Sequence, residues 1–257
     1  EVVNVRRSSD NDERKFTVSQ INSGALLNFV GSGNDGFVHT WYDQSGNGRH
    51  SIQDTDPRQP IIVESGTFQN GLKFTHADTK NGKRMYVPRN STELGTEFAL
   101  VWVGSFTGST ARTKVVLGNF RGVQGFNVGS AGIAVRPANE SFRFHNEKTS
   151  TSSQTFLNST TVSSDTTTVV FANYDDDAVT LSTNRNAQTT TFSSTVLTST
   201  ADLRIMTAQS ASGATGGTYR IEESTEGICK EVLVYDTNQS NNRTSIETNI
   251  SDHYSIS

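Results

Sequence analysis

The chain has 257 residues, a net charge of −4 at neutral pH and a hydrophobic share of 32%. Ser, Thr and Asn supply 86 of those residues, which excludes a helical bundle, because these residue types favour strands, turns and caps over helix interiors. Fourteen Phe, six Tyr, two Trp and only four Pro exclude a disordered chain.

Charge is near balance and no basic stripe interleaves with aromatics, which argues against a nucleic-acid partner. The longest apolar run, Phe98 to Val103 (FALVWV), is far short of a membrane span. The single cysteine, Cys229, rules out an internal disulfide framework and a Cys-based zinc site. Its apolar setting reads as that of a buried, inert thiol.

In chain order, three-and-four spacing of Phe16, Ile21, Ala25, Leu26, Phe29 and Val30 predicts one or two short helices over 16–30, stopped by Gly31. Phe37 to Tyr42 alternates as a strand and runs into a dense turn, Asp43-Gln44-Ser45-Gly46-Asn47-Gly48. Short strands follow at 60–63, 71–74 and 84–87. The core should be richest at 97–107 and 114–120, then 132–135 and 141–145. In the last of these, Phe142 and Phe144 point one way while Arg143 and His145 point the other.

Residues 149–165 are almost pure Ser and Thr, and read either as a long loop or as a solvent-facing edge strand. A meander is predicted over 168–174, 178–183 and 188–192, turning at Asp175-Asp176-Asp177 and Asn184-Arg185-Asn186. Leu203 to Met206 is another strand, and Gln209 to Gly217 reads as a mobile loop. Gly227 to Tyr235 is the clearest late strand, with Ile228, Val232 and Val234 predicted inward and Cys229, Glu231 and Leu233 outward. Ser240 reads as the N-cap of an amphipathic C-terminal helix carrying Ile246, Ile250 and Tyr254. Short strands at close spacing with a helix at each end predict an all-β, jelly-roll β-sandwich, a single domain over 1–257.

The segment Trp41-Tyr42-Asp43-Gln44-Ser45-Gly46-Asn47-Gly48-Arg49-His50 is distinctive. With Gln53, Gln59-Pro60, Gly71-Leu72-Lys73-Phe74 and Glu231 to Asp236, it resembles the concanavalin A-like, laminin-G-like jelly-roll modules of secreted bacterial proteins and phage tail or fibre proteins. The turn is also similar to part of the catalytic domain of fungal-type arabinofuranosidases. Those domains carry several cysteines, this chain carries one, and the likeness stops at the turn. The start at Glu1, close to a family-like Val5-Arg6-Arg7-Ser8-Ser9-Asp10 stretch, predicts an upstream part and hence a piece of a larger protein.

The resemblance implies a glycan-related module, and the fold alone does not fix its activity. Laminarinase-type enzymes of this fold use Glu-x-Asp-x-x-Glu, and Glu222 to Glu226 lacks the central Asp. Carboxylate candidates are Asp43, Glu147, Asp175 to Asp177, Glu226 and Glu231. Asp43 reads first as the acceptor of an Asx-type turn. Read functionally, Asp43 and Asn47 would contribute oxygens to a structural Ca2+, which the resemblance makes an expectation. The five histidines show no zinc spacing, and no serine elbow or phosphate loop is present.

Trp41 and Trp102 read as core. The predicted ligand-binding surface is Asn119, Arg121, Arg143, His145, Tyr174 and Tyr219, whose planar polar groups and rings suit sugar hydroxyls and CH faces. The leading expectation is non-catalytic recognition of a polysaccharide or cell-surface glycan, by an extracellular module or by a receptor-binding or decorating domain on a phage particle. The alternatives are a glycan-cleaving enzyme and a structural virion or surface-layer domain working as a homo-oligomer or in a larger assembly. No nucleic acid and no membrane are expected as partners.

Overall fold

The computed structural model describes residues 1–75, 82–88, 94–108, 113–119, 131–147, 154–176, 178–192, 202–207 and 225–256, with the side chains of 146, 147, 154 and 155 outside that description. It is an all-β sandwich with short helices near the N-terminus and one longer helix at the end.

The N-terminal part holds β1 (Val3–Arg7), β2 (Glu13–Phe16), α1 (Val18–Asn22), α2 (Ala25–Val30), β3 (Gly36–Trp41), β4 (Ser51–Ile52), β5 (Ile61–Glu64), β6 (Thr67–Phe74) and β7 (Met85–Val87). Then follow β8 (Glu97–Phe106), β9 (Lys114–Gly118), β10 (Ala131–Arg136), β11 (Ser141–Glu147), β12 (Gln154–Thr161), β13 (Thr168–Asp175), β14 (Ala178–Thr183), β15 (Asn186–Thr191), β16 (Leu203–Ile205), β17 (Gly227–Tyr235) and α3 (Arg243–Tyr254). Two predicted short helices occupy the N-terminal pattern. The first starts at Thr17, whose side chain and that of Gln20 form a reciprocal capping box.

One hydrogen-bonded path runs β15-β14-β13-β8-β17-β6-β5-β3 and on through β4-β7-β16-β9-β10-β11-β12. The path folds over on itself, so β8 and β13 face β11 across the core. Phe98 lies 6.2 Å from Phe144, and Trp102 lies 5.6 Å from Phe142, ring centre to ring centre.

β8 is paired on both edges and buried on both faces. Phe98, Leu100 and Trp102 enter the main core, while Ala99, Val101 and Val103 form a second cluster with Val169, Phe171 and Ile250. Ile246 and Tyr254 of α3 pack on that second cluster, as their four-residue spacing predicts. A strand apolar on both faces reads as a continuous hydrophobic run, which is why FALVWV shows no alternation.

Two expectations need correction. Ser240 is not the helix N-cap: α3 starts after Asn242, and Ser240 instead bonds the Asn238 side chain. The inward set on β17 changes phase, because Cys229 pairs with Gly104 and Glu231 with Val103, leaving Lys230 as an extra bulged residue. Cys229, Val232 and Val234 therefore join the main core, and Ile228 does not. Of the two readings of the Ser/Thr-rich stretch, the structure favours the edge strand: Gln154–Thr161 forms β12. The predicted loop at 209–217 lies outside the described residues.

The bulge needs Gly104. A Cβ there would run into the Ile228 carbonyl oxygen and come within 2.6 Å of the Trp102 ring. Gly104→Ala is expected to destabilise the fold by about 2–3 kcal/mol through overpacking, read from the urea midpoint. A midpoint within error of wild type would show that the bulge is not so confined.

Candidate functional site

The distinctive turn is a hydrogen-bonded hub. Asp43 accepts from Ser45 N and Ser45 Oγ, both at 2.8 Å, and from Arg49 N at 3.0 Å. Its own N–H donates to His50 Nδ1 at 3.1 Å, and the His50 ring meets Tyr42 edge-on. Burial raises the Asp43 carboxyl, but these donors outweigh it and hold the group below its ordinary value. Asn47 bonds Ser45 Oγ through its side-chain amide.

The downstream residues of the same motif are structural too. Arg6 Nε donates to Gln59 Oε1 at 2.9 Å, Gln59 Nε2 to the Gln53 carbonyl at 3.1 Å, and Gln53 Nε2 to the Arg84 carbonyl at 3.1 Å. Gln53 and Gln59 are buried, so each amide is tied off as a buried polar group must be.

Of the expected Ca2+ ligands, Asp43 thus points both oxygens at N–H and O–H groups, and Asn47 donates its amide to Ser45 Oγ. A cation wants six to eight converging oxygens. Among the described residues no three acidic, His or Cys side chains converge on such a point. The Asp43 turn as folded does not fit the ion, and hydrogen bonding alone closes it.

The polar groups of interest lie on the outer face of β4-β7-β16-β9-β10-β11-β12. Register aligns Ile52, Tyr86, Arg204, Gly118, Gly132, His145 and Phe156 in one row across that face. Arg143 and Asn158 pair in a second row beside His145 and Phe156. At one end the Arg143 guanidinium lies 4.2 Å from the Phe156 ring centre. The Phe156 ring is 45% exposed, which matters because the only other large exposed hydrophobic among the described residues is Val18.

At the other end Arg204 covers the Tyr86 ring at 4.7 Å and pairs with Asp202 at 2.7 Å. Tyr86 donates to Asp54 at 3.2 Å, and His39 lies 3.4 Å from the same carboxylate. Burial first, then the charge and hydrogen bond of Asp54, push the Tyr86 hydroxyl up to about 12. In the middle, His145 and Arg204 are buried.

The predicted ligand residues fare unevenly. Arg143 sits on the outer face beside an accessible ring. His145 shares that face but is only 1% exposed, and burial followed by the Arg143 charge pushes it down to about 3. It is therefore a neutral residue packed into the sheet rather than a surface contact. Asn119 is also buried and uses its side-chain oxygen to accept from Ala131 N at 2.8 Å, joining β9 to β10. Tyr174 is a correction: it is fully buried in the main core, stacked on Phe98 at 5.4 Å. Its partner Phe98 fixes its facing, and no part of it reaches a surface. Arg121 and Tyr219 lie outside the described residues.

Among the candidate carboxylates, Asp175 ends β13 and accepts from the Asn238 amide. Asp176 takes a left-handed conformation in the following turn. Asp177 lies outside the described residues, as does the Glu147 side chain. Glu231 faces α3, where it accepts from the Tyr254 hydroxyl. Burial pushes the Cys229 thiol up, so the inert reading of that cysteine fits its setting.

Phe156, Tyr86 and Arg204 were not among the predicted residues. Tyr86 and Arg204 each stand between two apolar neighbours, so alternation across Met85-Tyr86-Val87 and Leu203-Arg204-Ile205 marks both as outward-facing. Phe156 had a weaker signal: of the adjacent pair Phe156-Leu157, one must face out on a strand.

No protein-family model matches the chain, and no curated protein matches its sequence. Solved structures match its shape. An arabinofuranosidase complexed with arabinofuranosyl-alpha-1,2-xylobiose superposes with a TM-score of 0.54 at 13% identity, over 97% of this chain and 58% of its own. A Trypanosoma rangeli sialidase complexed with 2,3-difluoro-KDN gives 0.50 at 14% identity, over 78% of this chain and 29% of its own. The CBM40 of a Ruminococcus gnavus sialidase, bound to alpha2,6 sialyllactose, gives 0.48 at 12% identity, over 60% of this chain and 84% of its own. At these identities the likeness is one of fold. Among the described residues no helix is long and apolar enough to cross a membrane.

Three outcomes are expected from this geometry. The folded Asp43 carboxyl titrates below its unfolded counterpart, so its stabilisation is full above about pH 3.9 and is lost as pH falls through the folded value. Asp43→Ala should cost about 1–2 kcal/mol at pH 7, a deficit that shrinks in acid. The wild-type melting midpoint should be equal in calcium and in EDTA; a rise of several degrees with calcium would restore the ion. His145 has the opposite effect on its own account. Its folded value lies below its unfolded one, so it withdraws stability as pH falls from about 6.5. Its ring protons should show no NMR titration between pH ~5 and ~8, and a midpoint near ~6.5 would mean that the ring is solvated.

Proposed function

We propose that this chain is a non-catalytic glycan-recognition module. The observation that carries the reading is the Phe156–Arg143–Asn158 group on the polar outer face of the sandwich. An exposed ring in contact with a guanidinium offers a stacking platform for the CH face of a sugar. Asn158, exposed beside it, supplies both a donor and an acceptor for hydroxyls. The shared fold with an arabinofuranosidase complexed with arabinofuranosyl-alpha-1,2-xylobiose is in keeping with a sugar ligand.

Catalysis is less well supported on this face. A glycosidase needs two carboxyls at reaction distance, about 5 Å apart if retaining and roughly 6.5–9.5 Å if inverting, with one in an apolar setting. Asp54 is 63% exposed at its side chain and is engaged by Tyr86 and His39, and Asp202 is paired with Arg204. Both carboxylates described here are committed to a donor or a cation. The proposed setting is an extracellular or virion surface, on a module of concanavalin A-like, laminin-G-like type.

A glycan array with the purified chain tests the reading, and silence across plant, bacterial and marine polysaccharides would defeat it. Phe156→Ala should weaken binding to any hit about tenfold, or ~1.4 kcal/mol, with little change in melting midpoint. Equal affinity in the variant would move the site elsewhere.

A further inference from the structure

Arg143 differs from the other ion-paired arginines. Arg6 lies 3.6 Å from Asp56, Arg7 2.6 Å from Asp10, Arg204 2.7 Å from Asp202 and Arg243 2.6 Å from Glu247. Among the described residues no carboxylate pairs with Arg143. Its Nε is buried and meets no protein acceptor. Its neighbours along and across the face are His145, Ala134, Asn158 and Phe156, none of them acidic. Burial first, and then the positive charge of Arg136, make the charged form harder to hold and lower the Arg143 pKa. A half-buried guanidinium is a costly thing to leave without a counter-charge.

The group is aimed for use. The Arg143 guanidinium carbon stands 4.2 Å from the Phe156 ring centre, a contact that limits where the fork can go. A rigid, planar fork matches carboxylate and sulfate oxygens in a bidentate way that an ammonium cannot. The small Ala134 on the neighbouring strand leaves that side of Arg143 free of a large sheet side chain.

We infer that the Arg143–Phe156–Asn158 group selects an anionic glycan, one whose sugar carries a carboxylate or a sulfate that Arg143 grips while the ring stacks on Phe156. This rests on the glycan reading above and narrows it. The whole chain is net negative at −4, so attraction of a polyanion must be local to such a patch and not a property of the surface at large.

The test is titration calorimetry and affinity electrophoresis of the full chain against three polymers: polygalacturonate, dextran sulfate and unmodified dextran. Wild type should bind at least one of the two anionic polymers ten or more times tighter than the neutral one. The anionic polymer that binds names the anion. Arg143→Gln should abolish that preference. Arg143→Lys should recover only part of it, because charge returns without the fork. Asn158→Ala, an exposed change opposite Arg143, provides a second reading should Arg143→Gln fold poorly, with a loss of several-fold expected. Equal binding of neutral and anionic polymers would overturn the anion inference and leave the glycan reading standing. An unchanged preference in Arg143→Gln and Asn158→Ala would also overturn it. Binding to none of these, together with a silent glycan array, would remove both.

Discussion

The architecture depends on β8 being apolar on both faces. A ten-residue strand with Phe98, Leu100 and Trp102 on one side and Ala99, Val101 and Val103 on the other cannot rest at a surface. It demands a second sheet over one face and a helix over the other. β11 supplies the first through Phe142 and Phe144, and α3 supplies the second through Ile246, Ile250 and Tyr254. Once β11 is committed inward by its two phenylalanines, the pleat sends Arg143 and His145 to the far side. The polar outer face is thus a by-product of how the core closes.

That dependence explains what could be read in advance. Alternation is legible where one face of a strand is polar, so the split of β11 and the contacts of α3 follow directly from spacing. It is not legible in β13, where Val169, Val170, Phe171, Ala172 and Tyr174 are all buried. Without a polar phase nothing in the run says which way Tyr174 turns, and it reads as easily as a surface residue as a core one. The β17 bulge is invisible for a related reason. It depends on Gly104, 125 positions earlier than Cys229, and no local rule links the two. β12 is legible only as one of two readings, because an edge strand needs few apolar residues and its Thr and Ser are equally at home in a loop.

The residues of the Trp-Tyr-Asp-Gln-Ser-Gly segment and those that follow it serve the scaffold. Asp43 closes its own turn, and Gln53 and Gln59 tie that region to Arg6 of β1 and to Arg84 beside β7. Buried side-chain amides with several partners are costly to replace, a structural reason for these residues that needs no ligand. The residues of the proposed glycan site stand elsewhere, in stretches of unremarkable composition.

The continuous path of strands has two free ends, β15 and β12, and these come together along one side of the sandwich. Among the described residues a side-chain link at that margin runs from β12 to β14, hydroxyl to hydroxyl: Thr160 Oγ1 stands 3.4 Å from Thr183 Oγ1. The sandwich is closed by a clasp of side chains and not by a ladder of backbone bonds. Side-chain hydroxyls exchange partners with water more readily than paired peptide groups do, so this margin of β12 is held less firmly than the edge it shares with β11. Phe156 and Asn158 belong to β12. The surface proposed to hold the ligand therefore rests on a strand laddered along one edge only, and a sugar held by β12 and β11 together would brace that strand from its paired side.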